Sequence, residues 1–136
     1  MNVFSGTWQA NLEKSRRHAN HQFQNATLVF EIDGENVTLK QSGINHDGKY
    51  EQSTLMLIAD GVEREVSPHA PGVLVRTAWN GSNILETQAT KDGKMMGKGT
   101  YEVSDDGSTL TATVGGIDGG GREFEQVIVF DRVAAT

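Results

Sequence analysis

Phe4-Ser5-Gly6-Thr7-Trp8 sets an aromatic ring, a glycine and a tryptophan side by side at the head of the first strand-like segment. A tryptophan there is placed to plug one end of a closed sheet. Gly6, lacking a Cβ, lets a neighbouring backbone or ring come close, at some cost to the strand itself. The remainder of the chain reads as short strands that need closing, and this stretch is the natural closing piece.

The strands are counted from their punctuation. Asp-Gly or Asn-Gly pairs fall at Asp33-Gly34, Asp47-Gly48, Asp60-Gly61, Asn80-Gly81, Asp92-Gly93, Asp106-Gly107 and Asp118-Gly119, spaced 12 to 20 residues apart. Such pairs tolerate the positive φ that tight hairpins require. The longest interval is split by Pro68-His69-Ala70-Pro71-Gly72, a turn of another kind. The segments between predict ten strands, at about 3–12, 26–32, 36–43, 49–58, 62–67, 72–79, 83–91, 94–103, 108–114 and 122–133. Even spacing with tight turns predicts an all-β antiparallel meander, each strand pairing with the one before. An open sheet of that size exposes two long edges, and curling it into an up-and-down barrel removes them. Residues 13–25 are polar and weakly helical at best, and are expected to form a lid or a surface connection.

Alternation marks the inward faces. Ala26, Leu28, Phe30 and Ile32 form one set, Met95, Gly97, Gly99, Tyr101 and Val103 a second, and Leu110, Ala112 and Val114 a third. Leu55-Met56-Leu57 and Val73-Leu74-Val75 are apolar on both faces, so those strands are not oriented by pattern.

Composition narrows the function. With 136 residues the chain is expected to be a single barrel domain with one continuous core, and 36% hydrophobic residues plus 16 glycines is an ordinary globular share. A net charge of −6 with no basic run argues against nucleic acid and anionic membranes as partners. The absence of cysteine removes thiol chemistry and disulfides. No basic-then-apolar leader opens the sequence, so the chain as written is expected in the cytoplasm, or in the periplasm or outside the cell if a leader has been removed.

A barrel of about eight strands is just filled by its own side chains, so ten should leave a cavity. Gly97, Gly99, Ala112 and Ala26 are too small to fill it, although the two glycines also suit a sharply bent strand. Tyr50, Gln52, Arg64, Arg76, Glu86, Gln88, Tyr101, Arg122 and Gln126 are polar groups available to converge on an apolar interior, as small-molecule sites require. The expected ligand-binding set is Phe30, Tyr50, Arg76, Glu86, Gly97, Gly99, Tyr101 and Gln126. No metal site is expected, since His18 and His21 are a lone pair on a polar loop while His46 and His69 stand in separate loops. No cofactor motif and no nucleophile beside a histidine is evident, and Gly119-Gly120-Gly121 reads as a hairpin turn.

The opening Phe4 to Leu12, with its Gly-x-Trp, resembles the first strand of calycin barrels, the lipocalins and fatty-acid-binding proteins. The strand count and the terminal Val127-Ile128-Val129-Phe130-Asp131-Arg132-Val133 look more like the ten-stranded fatty-acid-binding branch. Gly6-Thr7-Trp8 with Asn11 to Ser15, Lys91-Asp92-Gly93-Lys94 and Ser104 to Thr111 together are similar to a group of small, uncharacterised lipocalin-like proteins of bacteria. The likeness spans nearly the whole chain and implies a ligand-holding barrel. Two departures matter. Residues 13–25 are too few and too polar for the two portal helices of fatty-acid-binding proteins. Their carboxylate-anchoring Arg-x-Tyr on the last strand corresponds here to Ile128 and Phe130, which hold no carboxylate.

Three functions follow. The first is a carrier or sensor of a small hydrophobic or amphipathic molecule. The second is a barrel-pocket isomerase or hydrolase using Glu86, Tyr101 or a histidine as acid or base. The third is an interaction module or homodimer using the apolar runs at 55–58 and 73–75.

Overall fold

A two-residue hairpin needs left-handed backbone at both positions, and Asp92 and Gly93 supply it with φ of 54° and 77°. In the other turns among the described residues it is the glycine alone, as at Gly34, Gly48, Gly81 and Gly107, that has a positive φ. The computed structural model describes residues 3–16, 23–65, 72–117 and 121–133, and it carries ten strands. These are β1 (Gly6–Arg16), β2 (Asn25–Asp33), β3 (Asn36–Ile44), β4 (Tyr50–Ile58), β5 (Arg64–Glu65), β6 (Val73–Trp79), β7 (Ile84–Lys91), β8 (Lys94–Val103), β9 (Thr109–Ile117) and β10 (Glu123–Arg132). They form one antiparallel sheet in the order β4-β3-β2-β1-β10-β9-β8-β7-β6-β5. Among the described residues no helix is long and apolar enough to cross a membrane.

The expected meander holds, with one correction. β1 pairs with β10, Trp8 opposite Arg132 and Ala10 opposite Phe130, so the two ends of the chain are joined within the sheet. The edges lie instead at β4 and β5, which share no ladder. The turn between them explains why. Arg64 donates twice to Asp60, at 2.6 Å to each carboxylate oxygen, and the Gly61 amide donates to the Thr77 carbonyl at 2.8 Å. The chain is thereby delivered to β6 rather than back onto β4.

A second correction concerns residues 13–16, expected in the irregular piece. β1 runs on to Arg16 across a bulge in which Asn11 faces Val129 and Arg16 faces Val127. Ser15 holds the bulge, its hydroxyl donating to the Asn11 carbonyl at 2.7 Å and accepting from the Val129 amide at 2.9 Å. The rest of the expected lid, 17–22, lies outside the described residues, as do most of the Pro68 to Gly72 turn and Asp118 to Gly120.

The aromatic segment at the N-terminus closes one end. Phe4 and Trp8 are fully buried, and the Trp8 indole N–H donates to the Phe4 carbonyl at 3.0 Å. The Phe4 ring meets Phe30 and Trp79, each with centroids 5.4 Å away. Outside, the Arg132 guanidinium lies 4.1 Å from the Trp8 ring centroid and donates to the carbonyls of Val3, Ser5 and Gly107. Leu28, Val37, Leu39, Leu57, Leu85, Val103, Leu110, Ile128 and Phe130 continue the buried core.

The strands that pattern left unoriented are now placed. Leu55 and Leu57 lie opposite Leu39 and Val37 on the inner face, which leaves Met56 73% exposed. Met95, expected inside, is 45% exposed. The β7–β8 ladder steps from Ala89–Gly97 to Thr90–Met95, so Met96 is an extra residue there and the alternation slips.

Candidate binding cavity

Opposite the aromatic end the interior is lined by smaller side chains, and the strands do not collapse to fill the space. A cavity of about 810 Å³ remains, bounded by β2, β3, β4, β8, β9 and β10 and reaching the ends of β2, β3 and β4 away from Trp8. Ala26, Gly43, Ala112 and Val114 form part of its wall. Gly43 is required by close approach, since a Cβ there would stand 2.3 Å from the Asn25 carbonyl oxygen. A smaller cavity of about 260 Å³ lies against β4, β6, β7 and β8, and Tyr101 and Val114 border both. The larger volume falls in the range of small-molecule sites.

The expected site residues divide into three groups. Tyr101 and Gln126 line the larger cavity, Gln126 only 9% exposed, and Gly97 and Gly99 line the smaller one with Tyr101. Tyr50 stands at the rim, 65% exposed, its hydroxyl donating to the Gln52 side-chain oxygen at 3.1 Å. Phe30 borders neither cavity and is packed between Phe4 and Tyr101, whose ring centroid is 6.0 Å away. Arg76 and Glu86 do not reach the interior. Thr77, Trp79 and Leu85 hold the inward positions on those strands, so Arg76 and Glu86 fall on the outer face, and Glu86 accepts from the Asn80 side-chain N–H at 3.0 Å.

Sequence reasoning missed Gln41, Ser53, Glu51 and Thr87. Gln41 faces Ser53 and Gly43 faces Glu51 across the β3–β4 ladder, on the parity of the buried Val37 and Leu39. That parity was the available signal. It was hidden because Leu55-Met56-Leu57 gives no orientation by itself. Glu51 remains exposed at the mouth and accepts from the Asn45 side-chain N–H at 2.9 Å.

Tyr101 is a half-buried titratable group of this site. Burial pushes its phenol up from the ordinary value of 10.0, so the hydroxyl stays protonated and can both donate and accept. Gly99 lets the ring and the Thr87 side chain pack close to the backbone. A Cβ on Gly99 would lie 3.1 Å from the Thr87 hydroxyl oxygen and 3.7 Å from that of Tyr101, so two hydroxyl groups gather around the missing side chain. Among the described residues no group of three or more histidines and carboxylates could hold a metal ion. His18, His21 and His69 lie outside those residues, and His46 is exposed beside Asp47.

No protein-family model matches the chain, and no curated protein does. Solved structures do. A Schistosoma mansoni fatty acid binding protein in complex with arachidonic acid matches with a TM-score of 0.68 at 16% identity, over 98% of each chain. A point mutant of the fluorescent protein UnaG matches at 0.65 and 19% identity, again over 98% of each. Zebrafish ileal bile acid-binding protein complexed with cholic acid matches at 0.64 and 12% identity, over 97% of this chain and 100% of the other. Ten antiparallel strands curled around an interior, with the first strand paired to the last, therefore give this chain the fold of the fatty-acid-binding proteins.

Proposed function

We propose that the protein binds a small, mostly apolar molecule inside the barrel, as a carrier or sensor. The observation that carries this reading is the cavity of about 810 Å³ in a sheet whose other end is filled by Phe4, Trp8 and Trp79. Apolar side chains such as Leu28, Ile128 and Phe130 face that space beside a few neutral polar groups, as a hydrophobic ligand requires. Two proteins of the same fold carry arachidonic acid and cholic acid in their solved complexes, which supports an apolar cargo. The small bacterial lipocalin-like proteins remain the group to which we assign the chain. Native mass spectrometry of freshly purified protein, followed by titration of the delipidated protein with N-phenyl-1-naphthylamine, tests the reading. A co-purifying small molecule and saturable uptake of one dye per chain are expected, and absence of saturable uptake would contradict it.

A second reading is a homodimer through the β4 edge. Its motivation is Met56 and Ile58, both exposed on an edge strand that among the described residues is hydrogen-bonded to a strand on one side only. Sedimentation velocity distinguishes it, since a sharp monomer species across the micromolar range rules it out.

A further inference from the structure

The binding reading leaves the ligand's chemistry open, and the wall of the cavity narrows it. Among the described residues that line the two cavities, only Glu51 and Lys98 carry charge. Glu51 sits exposed at the mouth, where its carboxylate opposes the entry of an anion. Lys98 lies between the inward positions Gly97 and Gly99 on β8, so its side chain leaves the sheet on the outer face, where it is exposed. Ile128 and Phe130 stand in the wall, both buried and apolar, and supply no cation. A carboxylate drawn into this space would lose its hydration without gaining a cation, which strongly disfavours it in apolar surroundings.

The polar groups that do face the interior are neutral. Tyr101 is the central one, because it borders both cavities and its hydroxyl makes no hydrogen bond among the described residues. The Thr87 hydroxyl reaches only the Gly99 carbonyl, at a long 3.5 Å. Both side chains pack closely against Gly99. Resting on the binding reading above, we infer that the ligand is an uncharged amphiphile, with a hydroxyl or carbonyl group held by the Tyr101 hydroxyl where it borders the two cavities and an apolar body lying in the larger one. Such a group satisfies the phenol, whereas a purely apolar or an ionised head leaves it or itself unpaired.

The test is displacement of N-phenyl-1-naphthylamine from the delipidated protein at pH 8 by three probes of one chain length, 1-dodecanol, dodecanoic acid and dodecylamine. The alcohol is expected to bind at least about tenfold more tightly than the acid or the amine, the discrimination of about one well-made or unmade polar contact. Tyr101→Phe is expected to weaken the alcohol about three- to tenfold while dye affinity stays within about twofold. Gly99→Ala, whose Cβ would stand 3.1 Å from the Thr87 hydroxyl oxygen and 3.4 Å from the Tyr101 ring and so displace them, should act in the same direction, and thermal melts establish that each variant is folded. Should Gly99→Ala not fold, Tyr101→Phe decides alone. Acid or amine binding as tightly as the alcohol, or an alcohol affinity indifferent to Tyr101→Phe, overturns this inference and leaves the binding reading standing. Failure of the dye itself to bind overturns both.

Discussion

The two ends of the barrel are built from the same strands and yet packed by opposite means. At one end Phe4, Trp8, Phe30 and Trp79 fill the space between the sheet walls, and Arg132 covers Trp8 from outside. At the other, the same sheet presents Ala26, Gly43, Ala112 and Val114, and the space stays open. Protein interiors are ordinarily as dense as organic crystals, so a void of this size forfeits contacts that the chain could have made. Stability is therefore concentrated at the aromatic end, which frees the open end to keep a cavity.

Removing the aromatic plug should break that division most severely. Trp8→Ala is expected to cost about 3–5 kcal/mol, a large part of the stability of a domain this size, measured by urea denaturation. The cover comes next. Arg132→Met keeps a long side chain but loses the charge over Trp8 and the donors to three carbonyls, and should cost about 1–3 kcal/mol by the same measurement.

A smaller effect tests a turn at the aromatic end. The Ser104 and Ser108 hydroxyls and the Ser108 amide donate to Asp106 and hold its carboxyl down to about 2. A carboxylate depressed on folding stabilises the fold above its unfolded value near 4, and that contribution disappears as pH falls through the folded value. Asp106→Asn should therefore be slightly less stable than the parent at pH 7. The two urea midpoints are expected to converge between about pH 4 and pH 2, and a constant gap across that range would contradict the assignment.

Much of the fold was legible because tight turns carry their own chemistry. Asp92-Gly93 and its relatives announced ten strands, and Phe4 and Trp8 announced the closed end. What failed to show were features set by partners distant in sequence. The β4–β5 gap depends on Gly61 reaching Thr77, and the bulge of β1 depends on Ser15 reaching Val129. The slip at Met96 turned Met95 outward against a clean alternation. The site was legible in part for a related reason. Tyr101, Gly97 and Gly99 lie on a strand whose parity is plain, whereas Arg76 follows Val73-Leu74-Val75, which is apolar on both faces, and Glu86 lies on a strand without strict alternation. Their true orientation is set by the burial of Thr77 and Leu85. Gln41 and Ser53 escaped notice because a polar residue on an inward parity is informative only once the register with the next strand is known.

If the open end holds a molecule that its own side chains do not displace, filling it from the wall should abolish uptake. Ala112 lines that space and is buried. Ala112→Phe should fill it, leaving stability within about 1 kcal/mol of the parent because the ring enters a void rather than a packed core. Saturable uptake of N-phenyl-1-naphthylamine by the parent, reduced at least about tenfold in the folded Ala112→Phe variant, is the predicted result. Equal uptake by both proteins would place binding elsewhere and contradict a cavity-bound ligand.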